Sequence, residues 1–194
     1  MSQRLSKKQL EELNASLFDA VGRGDAKAIK LALAQGADVN AKEGFGWTPL
    51  MSASFLGLAL VVNRLLDAGA QANSKARDGS TALMMAALGG HEAIAKALLD
   101  RGADPDERDK HDYSPITIVA ESGCAPIARL LIAAKAKLFY ENKETKKKPA
   151  DIARDFGRME VLALLEEHEL RQEAKIGQSQ PPQRMPSRAF GMAR

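Results

Sequence analysis

Cysteine, long apolar runs and aromatic residues are all scarce in this chain of 194 residues. The single cysteine, Cys124, excludes an intramolecular disulfide and a zinc site built from several cysteines, which is typical of a protein in a reducing compartment. No apolar stretch approaches the length of a membrane span, and the charged segment MSQRLSKKQLEELN lacks the apolar run of a secretory signal. We therefore expect a cytoplasmic protein, with delivery into another cell left open.

What the chain does contain favours helices. Aromatic residues make up 5% of it, while alanine and leucine dominate, a balance that favours helices packed through small side chains over a β-sandwich. The net charge of +3 is small, and much of it comes from the run NKETKKK (142–148) and the C-terminal end. This pattern predicts an all-α protein with local basic patches, not one with a nucleic-acid surface spread over the fold.

The sequence repeats itself at a fixed step of 33 residues. One marker appears as TPLMSASFLG at 48, TALMMAALGG at 81 and SPITIVAESG at 114. A second appears as GADVN at 36, GAQAN at 69 and GADPD at 102, and continues as a decayed KAKLF at 135. The glycines at 24, 57, 90 and 123 keep the same step, and Gly157 follows after 34 residues. Three markers in one register indicate a repeat protein.

Each marker predicts a local structure. The hydroxyls of Thr48, Thr81 and Ser114 can cap a helix N-terminus, and the prolines at 49 and 115 suit the first helical position. A glycine then ends this helix, and patterns such as EAIAKALLD predict a second one. The glycines at 36, 69 and 102 follow the second helix, where a chain commonly turns through a left-handed conformation. The stretch up to the next Thr or Ser is predicted to be a protruding loop.

At this step the T-P-L, G-H and G-A-D-V-N markers resemble the ankyrin repeat, most clearly in GHEAIAKALLDRGADPD and AQGADVNAKEGFGWTPL. The resemblance covers roughly residues 15–166. It implies a solenoid of stacked helical hairpins, an ankyrin repeat domain that we place at 1–170. We predict five units, of which the first and last are atypical terminal caps. Their expected bounds are about 6–46, 47–79, 80–112, 113–146 and 147–170.

The two ends of the chain differ in character. Ser6 and Gln9 form the pattern of a capping box, and the leucines that follow keep to one face, which predicts a helix beginning near Lys7. Residues 171–194 are rich in Gln, Pro, Ser and Arg and have too little apolar content to pack, so we predict a disordered basic tail there.

The sequence gives no support for catalysis or metal binding. His91 occupies the G-H position, for which the resemblance implies a structural role, and His168 has no second histidine at ligand spacing. DPDERDKHD lacks the glycine and the glutamate of a calcium loop. Met51 and Met84 replace a histidine usual in the family and are expected to pack between repeats. We expect no enzyme activity, cofactor or metal; a hydrolase with Cys124 as nucleophile is the weakest alternative.

The candidate partner-binding residues precede the T-P-L motif or the glycine that ends the first helix. The resemblance implies that the first set lies at the loop tips and the second on the concave face, both exposed to solvent. Large apolar and aromatic side chains there indicate a recognition patch, because Trp, Tyr and Arg often dominate binding energy. The candidates are Phe45, Trp47, Phe55, Leu56, Arg77, Asp78, Leu88, Lys110, His111, Tyr113 and Glu121, with Gly44, Ser80 and Ser122 at equivalent positions.

Other interpretations of these side chains stay open. Trp47 could fold back over its own loop, and Phe55 could fill a gap between the first helices of neighbouring units. Leu58 and Leu60 lie at positions that are usually polar in the family, which would fit a second contact surface or a self-association site.

These observations predict a protein–protein interaction module that binds, and by covering an active site could inhibit or shield, a partner protein through its concave face and loop tips. Aromatic anchors would exclude water, while Arg77, Lys110 and Glu121 would set orientation. The alternative is an adaptor attached to an acidic membrane or nucleic-acid surface through the basic loop 142–148 and the C-terminal tail. The basic run is also explained as a solvated loop in the last, weakly conforming unit, and we prefer this interpretation.

Overall fold

The computed structural model describes residues 5–138, 140–143 and 145–179. Within these residues the chain forms ten α-helices and one isolated β-bridge, between Glu43 and Trp47. The helices are α1 (Lys7–Gly22), α2 (Ala26–Ala34), α3 (Pro49–Phe55), α4 (Ala59–Asp67), α5 (Ala82–Gly89), α6 (Glu92–Asp100), α7 (Pro115–Ser122), α8 (Ala125–Ala133), α9 (Pro149–Asp155) and α10 (Met159–Ser179).

The helices follow one another as five pairs, which fits the five predicted units. The first helices of the pairs, α1, α3, α5, α7 and α9, each pack on the next and form one layer. A second layer runs alongside through α4, α6, α8 and α10. The predicted all-α repeat solenoid is confirmed.

Local sequence signals start most helices where expected. The Ser6 hydroxyl accepts the Gln9 N–H at 3.3 Å and the Gln9 side chain accepts the Ser6 N–H at 2.9 Å, so the predicted capping box is present and α1 begins at Lys7. The hydroxyls of Thr48 and Thr81 likewise accept the N–H three residues on, at 3.3 and 3.4 Å. Such caps satisfy backbone donors that a helix leaves open.

The cap predicted at Ser114 is wrong. Ser114 has the extended backbone of an N-cap, but its side chain makes no capping bond to α7. Its hydroxyl instead lies 2.6 Å from the Tyr140 hydroxyl and 3.2 Å from that of Thr117. The Ser114 hydroxyl therefore bonds Tyr140 of the following loop instead of capping α7.

The helix ends and the core also follow the repeat. Gly36, Gly69 and Gly102 have φ of 102°, 91° and 81°, the left-handed conformation expected after the second helix of a unit. Met51 and Met84 are each 1% exposed, which confirms their packing between repeats. The buried residues form one cluster that continues along the stack from Leu17 to Leu165.

Polar side chains tie each unit to the next. Asn40 accepts the Gln71 N–H at 2.8 Å and donates to the Gly69 carbonyl at 3.3 Å. Asn73, one step of 33 residues later, makes the corresponding bonds to Asp104 and Gly102, at 2.8 and 2.9 Å. Each of these amides satisfies backbone groups of the following unit, so the relative position of neighbouring units is fixed.

The last helix runs past the expected end of the domain. Helix α10 continues to Ser179, so the boundary expected at residue 170 falls inside a helix, and residues 171–179 are helical. The rest of the predicted tail, 180–194, lies outside the described residues. Among the helices that the structure describes, none is both long and apolar enough to cross a membrane.

Candidate protein-binding groove

The loops that precede α3, α5 and α7 end in tight hairpins, which we call finger loops (43–47, 76–80 and 109–113). In each hairpin the first residue donates its N–H to the carbonyl of the fifth: Glu43 to Trp47 at 3.0 Å, Ala76 to Ser80 at 2.9 Å and Asp109 to Tyr113 at 3.0 Å. The finger loops therefore repeat one backbone geometry at the 33-residue step.

Neighbouring finger loops are joined by backbone hydrogen bonds. The Arg77 N–H donates to the Phe45 carbonyl at 2.9 Å, and the Lys110 N–H donates to the Asp78 carbonyl at 2.7 Å. At Gly79, where φ is 90°, a Cβ would lie 2.9 Å from the Asp109 Cα. The close approach and the positive φ both require glycine there, so the second and third fingers form one rigid surface.

Two rows of side chains face each other across this surface. Trp47, Ser80 and Tyr113 end the three finger loops, and Phe55, Leu88 and Glu121 lie at or near the ends of α3, α5 and α7. Trp47 meets Phe55 edge to face, with ring centroids 5.7 Å apart and planes inclined by 73°. Tyr113 donates its hydroxyl to a Glu121 carboxylate oxygen at 2.9 Å.

An open groove of about 690 Å³ lies between these two pairs. Ser80 is the small residue between the Trp47 and Tyr113 rings, and it is only 6% exposed. Its short side chain leaves the middle of the groove unfilled. The groove is lined by Trp47, Phe55, Asp78, Ser80, Met85, Leu88, Asp109, His111, Tyr113, Ile118, Glu121 and Ser122.

Seven of the eleven candidate residues line this groove: Trp47, Phe55, Asp78, Leu88, His111, Tyr113 and Glu121. The other four lie outside it. Phe45 is 80% exposed in the first finger, and Leu56 is exposed just after α3. Arg77 lines a smaller pocket of about 260 Å³ between the first two fingers, and Lys110 is exposed in the third finger.

The structure shows the exposure of three residues that the sequence either predicted differently or left open. Ser80 was expected at an exposed position but is buried. Trp47 is half-buried, because its ring meets Phe55 edge to face and packs against the core; it neither projects freely nor lies inside the stack. Phe55 is 43% exposed, so it does not fill a gap between first helices.

The sequence interpretation missed three groove residues, Met85, Asp109 and Ile118. Met85 and Ile118 stand three residues before Leu88 and Glu121 on the same helices, and residues at this spacing share a helix face. This spacing could have identified Met85 and Ile118 from the sequence. Asp109 opens the third finger, and its carboxylate accepts the N–H groups of His111 and Tyr113 at 2.9 and 2.8 Å.

The charged side chains that line the groove are mainly acidic. Asp78, Asp109 and Glu121 contribute carboxylates, and none of the lining residues is lysine or arginine. Beside these carboxylates lie the exposed apolar surfaces of Phe55 and Leu88. The groove is therefore suited to a ligand that carries both a bulky apolar group and positive charge.

Residues 17–109 match the family model of ankyrin repeats, in three copies. The chain contains ankyrin repeats. Ankyrin repeats are generally protein–protein interaction modules, ankyrin repeat proteins typically bind other proteins, and the family is typically non-enzymatic. No curated protein matches the chain.

His91 has the structural role expected of the G-H position in an ankyrin repeat. Its Nε2 lies 3.1 Å from the Phe55 carbonyl, which accepts the bond. The ring lies so close to Gly57 and Gly89 that a Cβ there would approach it to 2.6 and 2.5 Å. His91 thus fixes the end of α3, and with it the position of Phe55, from the next repeat.

The lysines of the basic loop are largely paired within the ankyrin stack. Lys147 donates to Asp155 at 2.6 Å, and this hydrogen bond with the attraction of the Asp155 charge raises the pKa of Lys147. Lys148 and Lys143 lie 3.6 and 3.9 Å from the carboxylates of Glu169 and Asp112. Three of the four lysines in 142–148 therefore have an acidic neighbour within 4.0 Å.

Three other residues considered in the sequence analysis lie outside the groove and differ in exposure. Leu58 is half-buried and lies over Gly24, whereas Leu60 on α4 is 79% exposed. Cys124 is half-buried just before α8. In the described part of the chain, no three His, Cys, Asp or Glu side chains converge in a way that could hold a metal ion.

Proposed function

We propose that this ankyrin repeat protein binds a partner protein through the groove between its finger loops and the helices α3, α5 and α7. The observation that carries the proposal is the open groove of about 690 Å³ flanked by the Trp47–Phe55 and Tyr113–Glu121 pairs. Exposed apolar surface held in a concave, polar-rimmed site is typical of a recognition surface.

Rigidity supports the same proposal. The backbone bonds between fingers and the side-chain bonds between units hold the groove residues in place before any partner arrives. Binding to such a surface loses less conformational entropy than binding to mobile loops. In the complex, Trp47, Phe55 and Leu88 exclude water as apolar anchors.

Residues outside the groove complete the proposed interface. Phe45 at the tip of the first finger offers a further apolar contact, and Arg77 and Lys110 on the second and third fingers offer positive charge. With Glu121 at the opposite side, these charges would set the orientation of the partner and raise the association rate. Binding inhibits or shields the partner where the surface that enters the groove is the partner's own active site.

The test is an affinity pull-down with a groove variant, Trp47→Ala/Tyr113→Ala, beside the wild-type chain. The matched control, Leu60→Ala/Phe156→Ala, removes two side chains that are 79% and 54% exposed and lie outside the groove. The groove variant should lose the specific partner and the control should keep it. Recovery of the same proteins by all three chains would show that the proposed surface is wrong, provided that circular dichroism shows equal helicity.

The alternative, attachment to an acidic membrane or nucleic-acid surface through 142–148, has weaker support because Lys143, Lys147 and Lys148 already have acidic neighbours. The dependence of binding on salt concentration distinguishes the two functions. Binding driven by phosphate contacts falls steeply between low and moderate salt, whereas anchoring by buried aromatic side chains changes little.

A further inference from the structure

The acidic, aromatic groove and the segment 180–194 of the same chain have complementary chemistry. We propose that this segment, QPPQRMPSRAFGMAR, binds in the groove, so that the chain covers its own partner-binding surface until a partner displaces the segment. The binding itself depends only on the groove, while its regulatory consequence rests on the proposed function.

Charge is the first argument. The segment contains Arg184, Arg188 and Arg194 and no aspartate or glutamate. The groove presents Asp78, Asp109 and Glu121 with no lysine or arginine in its lining. Opposite charges of this kind attract and orient a peptide, and arginine can form paired hydrogen bonds with a carboxylate.

Apolar matching is the second argument. Phe190 lies between Arg188 and Arg194, with methionines at 185 and 192. The middle of the groove is unfilled because Ser80 is small, and its sides are the Trp47–Phe55 pair and Leu88. A phenylalanine ring inserted there would bury apolar surface on both partners, and methionine adapts readily to irregular gaps beside it.

Length permits the contact within one chain. Helix α10 begins beside the groove, since Arg158, the residue before it, donates to the Glu121 carbonyl at 2.7 Å. Its 21 residues carry the chain about 31 Å away, at 1.5 Å per residue. Phe190 follows Ser179 by 190 − 179 = 11 residues, and 11 extended residues span about 36–40 Å. Near full extension the segment can therefore return Phe190 to the Glu121 end of the groove, and its insertion toward the unfilled middle starts from that end.

Tethering favours this occupant over a free peptide of the same sequence. A segment on the same chain is present at a high effective concentration, so even a weak contact is well populated. A partner with more contacts, including those to Phe45 and the finger tips, displaces it.

Trp47, the single tryptophan, reports on the occupancy of the groove. We would measure acrylamide quenching of its fluorescence in the full chain, in Phe190→Ala and in the matched control Phe156→Ala. Removing the inserted ring should raise the quenching constant about twofold, because acrylamide then reaches Trp47 more freely. The control should equal wild type, and high salt should shift wild type toward Phe190→Ala.

Equal quenching in wild type and Phe190→Ala would overturn the proposal. A difference that appears only as chain concentration rises would also overturn it, because the occupant would then be the segment of a second copy. Trypsin gives an independent measurement: cleavage after Arg184 and Arg188 should be faster in Glu121→Gln than in wild type, and equal rates would count against the contact. No partner is present in these assays, so their failure and the failure of the pull-down are distinguishable.

Discussion

Trp47 contacts Phe55 edge to face, and two units later the same two positions hold Tyr113 and Glu121, which are joined by a hydrogen bond of 2.9 Å. The repeat thus brings residue i at the end of a finger to residue i + 8 at the end of the following helix, whether the contact is aromatic or polar. Ser80 and Leu88 hold these positions in the unit between. Ser80 is too small to form such a contact with Leu88, so the groove is open at this unit.

A larger side chain at Ser80 should close the groove without disturbing the fold. Ser80→Tyr places there the kind of side chain that the flanking units carry, and Ser80's own backbone bonds to Ala76 and Asp78 persist. We expect loss of partner capture, with a cost in stability of about 1–3 kcal/mol because Ser80 is itself buried. Pull-down and thermal unfolding measure the two effects, with Ser16→Tyr on the exposed surface of α1 as control. Undiminished capture would place the partner elsewhere.

The sequence predicts the fold well because the repeat signals are local and recur. Thr48 and Thr81 cap their helices as expected, since nothing competes for their hydroxyls. Ser114 carries the same signal and fails, because Tyr140 from a later loop reaches its hydroxyl. A contact between residues 26 positions apart cannot be found from a local motif.

The candidate site is predictable only in part. The 33-residue register identifies rows of equivalent residues, and Trp47 and Glu121, which it selected, line the groove. It does not indicate which rows face each other, because that depends on how each finger packs over its helix. The burial of Ser80 was missed for this reason, as its size and its neighbours decide its exposure.

Replacing Ser54 by alanine should stabilise the fold. Its hydroxyl is fully buried in α3 and, among the described side chains, is the buried polar group that has no hydrogen-bond partner. An unsatisfied buried hydroxyl costs about 1–3 kcal/mol, and alanine is also a better helix former. We expect Ser54→Ala to raise the free energy of unfolding by about 1 kcal/mol or more.

Urea unfolding of Ser54→Ala should be compared with Ser52→Ala, a half-buried serine on the same helix. That control reports the gain in helix propensity alone, about 0.5 kcal/mol. Equal gains for the two variants would mean that the Ser54 hydroxyl carries no desolvation cost.

Lys135 occupies the position that glycine holds in the three preceding units, and it does so with a φ of 61°. A left-handed conformation costs a residue with a Cβ about 1 kcal/mol, and glycine almost nothing. Lys135→Gly should therefore stabilise the fold by about 1 kcal/mol in thermal or urea unfolding. The adjacent control Ala134→Gly, at φ −75° and ψ 3°, should destabilise it instead. Two changes of the same sign would contradict the conformational explanation.

Asp112 should make stability depend on pH in a defined direction. It is buried in the left-handed position of the third finger, where it bonds the Arg108 guanidinium at 3.1 Å and accepts the Lys143 N–H at 3.0 Å. Burial alone would raise its pKa, but these hydrogen bonds and the two positive charges outweigh burial and hold the pKa below its ordinary value of 3.8. The folded chain therefore binds this proton less readily than the unfolded chain.

The stabilisation by Asp112 is thus complete above its ordinary pKa and is lost as the pH falls toward and through the lower folded value. Asp112→Asn keeps a residue that tolerates the left-handed backbone but removes the charge. Urea unfolding of both chains between pH 7 and pH 3 should show the variant less stable by about 2 kcal/mol at neutral pH, with the difference shrinking below pH about 4. Comparing the two chains at each pH cancels the other carboxylates, because they are common to both. A difference that stays constant over this range would mean that the carboxylate charge contributes nothing and that the amide merely fits the finger less well.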